Sequence, residues 1–187
     1  MKTQDSRVIR TQKALLAAAN VLLATQNKTT VADVLEKAQV TRATFYHYYD
    51  NIDALLRAAN EQRVQDLLTL AQPVINVPAF FAAVAEDANF FYAVWHENRN
   101  LAFKRLLKAR LLQDGKQKIA RLTADTGVQQ QLFEQYMMIL AMLEVVMSQW
   151  LSHDLTPEYA GLKEQFAALL RFQQSGGALT ALQLFAF

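Results

Sequence analysis

Helix breakers are scarce along this chain. Five glycines and three prolines in 187 residues, against 52% hydrophobic content and abundant Ala, Leu and Gln, favour helix almost throughout. No run of strict apolar–polar alternation argues for strands. At this length the chain can bury a proper core, as one domain or as a small domain beside a larger one. The expected fold class is all-α.

The absence of cysteine excludes a disulfide framework, thiolate zinc sites and a cysteine nucleophile, and suits a reducing cytoplasm. The start, "MKTQDSRVIRTQ", is polar and has no apolar signal core. The most apolar run, "MMILAMLEVVM", is interrupted by Glu144 and too short to span a bilayer. A soluble cytoplasmic protein with no membrane partner is expected. The three histidines, His47, His96 and His153, lack metal-ligand spacing, and no H-E-x-x-H, P-loop or nucleophile motif is present. No catalytic residue, metal ligand or cofactor is therefore expected, and the chain does not read as an enzyme.

Charge is unevenly shared. Residues 1–63 hold nine Lys/Arg against six Asp/Glu, a net of +3, whereas residues 64–187 hold ten against eleven, a net of −1. A small basic N-terminal part on a slightly acidic remainder is an arrangement that nucleic acid would reward.

Periodicity divides the N-terminal part into four helices. Leu15, Leu16, Ala19, Leu22 and Leu23 form one face of a helix from Val8 to Thr25, which "QNK" ends. Thr30 is a natural N-cap for a second, with Asp33 three positions on as a capping-box variant and Val31, Val34 and Leu35 as its apolar side. That helix ends near Ala38. After the "AQV" turn, Thr41 caps a third from Arg42 to Tyr49, and Asp50 or Asn51 caps a fourth from Asp53 to about Ala71, stopped at Pro73. Two short helices around a tight turn, residues 30–49, are the helix-turn-helix arrangement whose second helix enters the major groove.

That second helix sits in "VTRATFYHYYDNIDALL", where four rings and a histidine crowd into Phe45 to Tyr49. Phe45 and Tyr49, four apart and on the side of Val40, should pack on the first two helices. Ala43, Tyr46 and His47 fall on another face, beside Arg42 and Thr44. A cation, a hydroxyl-bearing ring and an imidazole there can meet phosphate and base edges, whereas an interior would strand their polar atoms.

From about Thr11 to Leu56, the segments "LLAAANVLL", "TTVADV", "VTRATFY" and a D-x-L opening the fourth helix together resemble the TetR family of bacterial transcriptional regulators. The resemblance implies a DNA-binding domain over residues 1–52 and a helical effector-binding and dimerisation domain over 53–187. It also implies that Thr30 touches phosphate and that Arg42, Ala43, Thr44, Tyr46 and His47 face the groove, with Tyr46 and Tyr48 near the DNA backbone. Three departures stand out. Gln39 replaces the usual turn glycine, the "QNK" loop is about two residues short, and Ile52 replaces a lysine that anchors phosphate, leaving Lys28 or Arg10 to compensate.

Beyond Pro78 the helices grow larger and more apolar. "PAFFAAVAEDANFFYAVWHE" reads as one helix, "NLAFKRLLKARLLQD" as the next, ending near Gly115, and "KQKIARLTAD" as a third, stopping at Gly127. Two long helices follow, about Gln129–Ser152 and Pro157–Gln173, then a Ser-Gly-Gly joint and the apolar tail "ALTALQLFAF". The resemblance implies that those two helices pair with their twofold mates in a homodimer; the tail would add to that interface or cover it. Phe81, Phe91, Tyr92, Trp95, His96, Phe103, Tyr136 and Met137 are the expected lining of a pocket for an apolar or aromatic small-molecule effector, although rings at helical spacing also serve as plain core. The expected function is a ligand-responsive repressor, a homodimer on a pseudo-palindromic double-stranded DNA operator. The alternative is a helical small-molecule-binding or interaction protein whose N-terminal domain has lost specific DNA binding.

Overall fold

The computed structural model describes residues 2–26, 28–153 and 179–187, with side chains from Val8 to Ser152 apart from residue 27, and again from Leu179. In chain order come α1 (Lys2–Thr25), α2 (Val31–Ala38), α3 (Arg42–Tyr48), α4 (Ile52–Thr69), β1 (Ile75–Asn76), α5 (Val77–Glu86), α6 (Ala88–Trp95), α7 (Leu101–Leu122), α8 (Thr126–His153), a 3₁₀ turn (Ala181–Leu184) and β2 (Phe185–Ala186). The architecture is helical, as expected. Among the described residues no helix is long and apolar enough to cross a membrane.

The chain divides into two compact units. The first joins Met1–Gln65 to Asn89–Leu106. Leu15, Ala18, Ala19 and Leu22 of α1 meet Val34 of α2, Phe45 of α3, Tyr49 and Leu55 and Ala59 of α4 in one buried cluster. Residues three and four apart share a helix face, so α1 turns a continuous stripe inward. Elsewhere in this unit Phe90, Phe91 and Phe103 form a ring cluster with centroids 5.0–6.0 Å apart, and the Arg63 guanidinium lies 3.9 Å over Phe90. Such a cation over a ring face is attracted by the ring quadrupole.

The second unit joins Asp66–Ala88 to Leu107–Phe187. Leu67, Ile75, Val77, Phe81 and Val84 are buried there, as are Ile119, Leu132, Tyr136, Ile139 and the tail residues Ala181, Leu184 and Phe185. Lys118 is buried too, ion-paired to Asp114 at 2.6 Å and donating to the Ala71 carbonyl.

Several sequence expectations are corrected. The single helix expected from Pro78 is two, because the chain leaves helical geometry at Asp87 (φ −131°, ψ 42°), a residue type that competes poorly in helix interiors. The two helices expected on either side of Gly115 are one, α7, which runs through the glycine. Gly115 is there for packing: a Cβ on it would run into the Tyr136 ring. Gly127 does not stop a helix either. It lies in the first turn of α8, where Asp125 Oδ1 accepts from the backbone N–H of Gly127 (2.8 Å) and of Val128 (3.0 Å), capping the helix. α1 starts six residues earlier than expected, at Lys2. A strand pair exists after all: β1 and β2 run parallel, with Ile75 opposite Phe185 and Asn76 opposite Ala186. Two residues per strand are too few for alternation to register in the sequence. The expected helix Pro157–Gln173, its Thr156 cap and the Ser-Gly-Gly joint lie outside the described residues.

Gly115 supports a prediction whose sign is diagnostic. In an exposed helix interior Gly→Ala gains about 0.8–1 kcal/mol from propensity. Here Gly115→Ala should instead destabilise by about 1–3 kcal/mol, because the methyl must displace the Tyr136 ring. Denaturant melts of Gly115→Ala and of Gly115→Ala/Tyr136→Leu check it; the double variant should recover part of the loss.

Candidate nucleic-acid interface

The helix-turn-helix is assembled from local caps. At the start of α2, Asp33 Oδ2 accepts from the Thr30 backbone N–H (2.8 Å) and hydroxyl (2.7 Å), and the Asp33 N–H returns to the Thr30 hydroxyl at 3.3 Å. This is a reciprocal capping box. The Thr30 hydroxyl and then its N–H hold the Asp33 carboxyl below the usual carboxylate range. Its stabilising contribution is therefore present above the unfolded-state value and fades as pH falls through the folded one. Thr30 is exposed, but its hydroxyl proton is committed to Asp33; a phosphate arriving here must take it over.

The turn between α2 and α3 turns on Gln39. Its φ of 53° and ψ of 44° are left-handed, its N–H points to Glu36 O, and Val40 N–H reaches Leu35 O at 3.2 Å. That bonding closes a helix in the Schellman manner, a position glycine fills without a Cβ penalty. Glutamine adopts the glycine conformation rather than changing the turn. Thr41 then caps α3, its hydroxyl accepting from Thr44 N–H at 3.2 Å and lying 2.8 Å from the Thr44 hydroxyl. Asn51 Oδ1 accepts from Ala54 N–H at 2.9 Å and starts α4.

On α3 the two faces separate as the spacing demands. Phe45 is 0% exposed and Tyr49, just past the helix, 9% exposed. Tyr46 is 49% exposed, and Arg42, Ala43 and His47 are exposed beside it. Thr44 and Tyr48 are half-buried, Tyr48 leaning on the core cluster. Tyr46 stands edge-on to Phe45 at 5.3 Å, and His47 edge-on to Tyr48 at 5.0 Å, so each outward ring is braced by a neighbour. Pre-oriented side chains lose less entropy when they bind. Arg10 and Lys28 are exposed, whereas Ile52 packs against the core cluster.

One polar cluster of this unit was not foreseen. Asn60, buried on α4, exchanges two hydrogen bonds with Asn100, at 3.0 and 2.8 Å, and Arg99 donates to the Ala24 carbonyl of α1 at 3.3 Å. Asn98 and Asn100 both adopt positive φ, 54° and 49°. The "WHENRN" stretch reads from sequence only as a helix end; two asparagines in three residues were the available sign of left-handed turns.

The expected pocket residues are divided between the two units. Phe91 lies against Trp95 (5.9 Å) and Phe103 (6.0 Å), with Phe91 and Phe103 fully buried, while the more exposed Tyr92 and His96 stack on each other at 4.8 Å. These five belong to the first unit. Phe81, Tyr136 and Met137 belong to the second: Phe81 meets Trp150 at 5.7 Å, Tyr136 donates to Leu111 O at 3.0 Å, and Met137 is exposed.

Residues 15–59, from the middle of α1 into α4, match the family model of bacterial regulatory proteins of the tetR family. In comparisons with curated proteins and with solved structures, nothing matches the chain. The capped α2–turn–α3 geometry and the family match over the same residues agree: residues 15–59 are a helix-turn-helix domain of the kind found in bacterial regulatory proteins of the tetR family.

Proposed function

We propose that this regulator is a repressor that binds a pseudo-palindromic operator as a homodimer and releases it on meeting an apolar or aromatic small molecule. The carrying observation is the outward presentation of Tyr46 and His47 from a helix whose other face, Phe45, is wholly buried. A helix so anchored offers the Arg42–Ala43–Thr44 edge and the two rings to a major groove. Residues 1–52 would carry DNA binding, and 53–187 effector binding and dimerisation. In a twofold dimer two such helices lie about 34–36 Å apart, or farther on one face of the DNA.

Dimerisation is supported by α8, where Met137, Ala141 and Val145 form an exposed apolar row at four-residue spacing, Val145 being 60% exposed. The second helix proposed for this interface, Pro157–Gln173, lies outside the described residues. For the effector, the proposed lining is the aromatic set of the first unit, Phe91, Trp95 and Phe103, with Tyr92 and His96 as its polar part. An effector that favours the non-binding form needs a coupling of about 1–3 kcal/mol to weaken operator binding 5–150-fold.

A mobility shift against the gene's own upstream region, over a salt series, tests the reading: specific binding should appear and weaken steeply as salt rises. Tyr46→Ala/His47→Ala should weaken it at least about tenfold, since each base contact is worth about 1–3 kcal/mol, while dimers still form by size-exclusion chromatography. Unchanged specific binding in that pair would falsify the recognition face. The packing of Ile52 into the core favours the second reading, a helical small-molecule-binding or interaction protein without specific DNA binding. Absence of any salt-dependent specific shift would select it.

A further inference from the structure

The apolar tail is seated on its own chain. Thr180 opens the 3₁₀ turn, its hydroxyl accepting from Leu182 N–H at 3.4 Å, and Ala181, Leu184 and Phe185 are buried. The Phe185 ring lies 5.4 Å from Tyr136 of α8. Gln135, wholly buried on α8, accepts the Ala181 N–H on Oε1 at 3.0 Å, with the Thr180 hydroxyl at 3.5 Å. β2 then pairs with β1. β1 in turn is tied to the end of α4, because Asn76 N–H donates to Leu70 O at 2.9 Å, and to α5, because Asn76 Oδ1 accepts from Ala79 N–H at 3.0 Å.

We infer that Thr180–Phe187 is a releasable strap that holds the C-terminal end of α4 through β1, with Gln135 as its latch. Two features make it releasable rather than a fixed part of the core. A two-residue parallel pairing is marginal alone, so docking draws on the burial of Ala181, Leu184 and Phe185 and on the Gln135 amide. That amide is half used. The Ala181 N–H fixes which end of Gln135 is oxygen, and the remaining Nε2 is buried without a hydrogen-bond partner among the described residues. An unpaired buried donor raises the free energy of the docked state, which lowers the cost of letting go.

The consequence for regulation rests on the proposed repressor reading. α4 follows α3 directly in the chain and is held at its other end by β1, so release should loosen the helix that carries the recognition helix and lower operator affinity.

Two variants of the full chain test this: one with a stop codon after Leu179, and Gln135→Leu, which keeps the bulk and removes the acceptor. Hydrogen–deuterium exchange should quicken at least about tenfold at residues 70–77 while α2 and α3 keep their wild-type rates, as for a local opening. Unchanged exchange at 70–77 in both variants would overturn the inference. So would an equal increase throughout the chain, or failure of both to melt cooperatively, since a releasable strap is not required for the fold. If only the truncation fails to fold, Gln135→Leu decides by the same criteria. Operator affinity should drop at least about tenfold in the same variants, as expected for coupling between two sites. Normal affinity with fast exchange at 70–77 would overturn the regulatory role. The exchange result needs no DNA, so absence of a wild-type mobility shift would sink the repressor reading and leave the strap to be judged separately.

Discussion

Replacing Phe45 with alanine should destabilise the N-terminal helices by about 3–5 kcal/mol and abolish operator binding with them. The ring is wholly buried and sits where α1, α2 and α4 meet, with Leu15, Val34 and Leu55 in the same cluster. Removing it leaves a cavity that a seven-residue helix cannot close by shifting, because α3 is too short to exist without its seat. The test separates seating from reading. Urea melts should show the loss in Phe45→Ala, and a mobility shift should show no specific complex. Phe45→Leu should retain much of both, as a less severe change of volume. Tyr46→Ala should give the opposite pattern, with binding weakened and stability lowered by no more than about 0.5–1.5 kcal/mol for its lost edge contact. A Phe45→Ala protein as stable as wild type would contradict the packing described.

The helix-turn-helix was readable in the sequence because everything that shapes it acts within a few residues. Thr30 with Asp33, Thr41 with Thr44 and Asn51 with Ala54 are all contacts three positions apart. The two faces of α3 follow from helical spacing alone, and Gln39 betrayed its left-handed conformation by standing where a glycine is usual. What the sequence did not disclose is non-local. Gly115 looked like a stop because its reason, the Tyr136 ring, comes 21 positions later on another helix. Asn60 finds Asn100 forty positions away, and β1 finds β2 from the far end of the chain. The site was less legible than the fold in one respect: composition places a hydroxyl at the start of α2 but does not say that Asp33 already holds its proton. The aromatic set was the least legible of all, since identical spacing serves the packed Phe91 and the half-open Tyr92.

Lys118 is the other long-range feature, and its removal should be as costly as that of Phe45. Its side chain is 8% exposed and that of its partner Asp114 15%, so solvent screens the pair little. Asp114 also accepts from Gln72 Nε2 at 2.8 Å, and Lys118 holds the Ala71 carbonyl just beyond the end of α4. The same carboxylate, after burial itself, helps push the Tyr136 hydroxyl above the usual tyrosine range. Lys118→Ala strands a mostly buried carboxylate and a carbonyl together, and breaking such a pair on one side costs about 3–5 kcal/mol. Lys118→Met keeps the apolar stem and should cost nearly as much, because the loss is electrostatic rather than one of volume. Lys118→Met/Asp114→Leu should return most of the way to wild-type stability, since replacing a buried pair with apolar residues is often neutral. The thermodynamic cycle built from the two single variants and the double, measured by chemical denaturation, decides the matter. If the double variant is as unstable as the sum of the singles, the two residues do not act as a pair. Recovery in the double would show that the cost of the single variants lies in the unpaired buried charge, and that the Ala71 carbonyl left open in both contributes little.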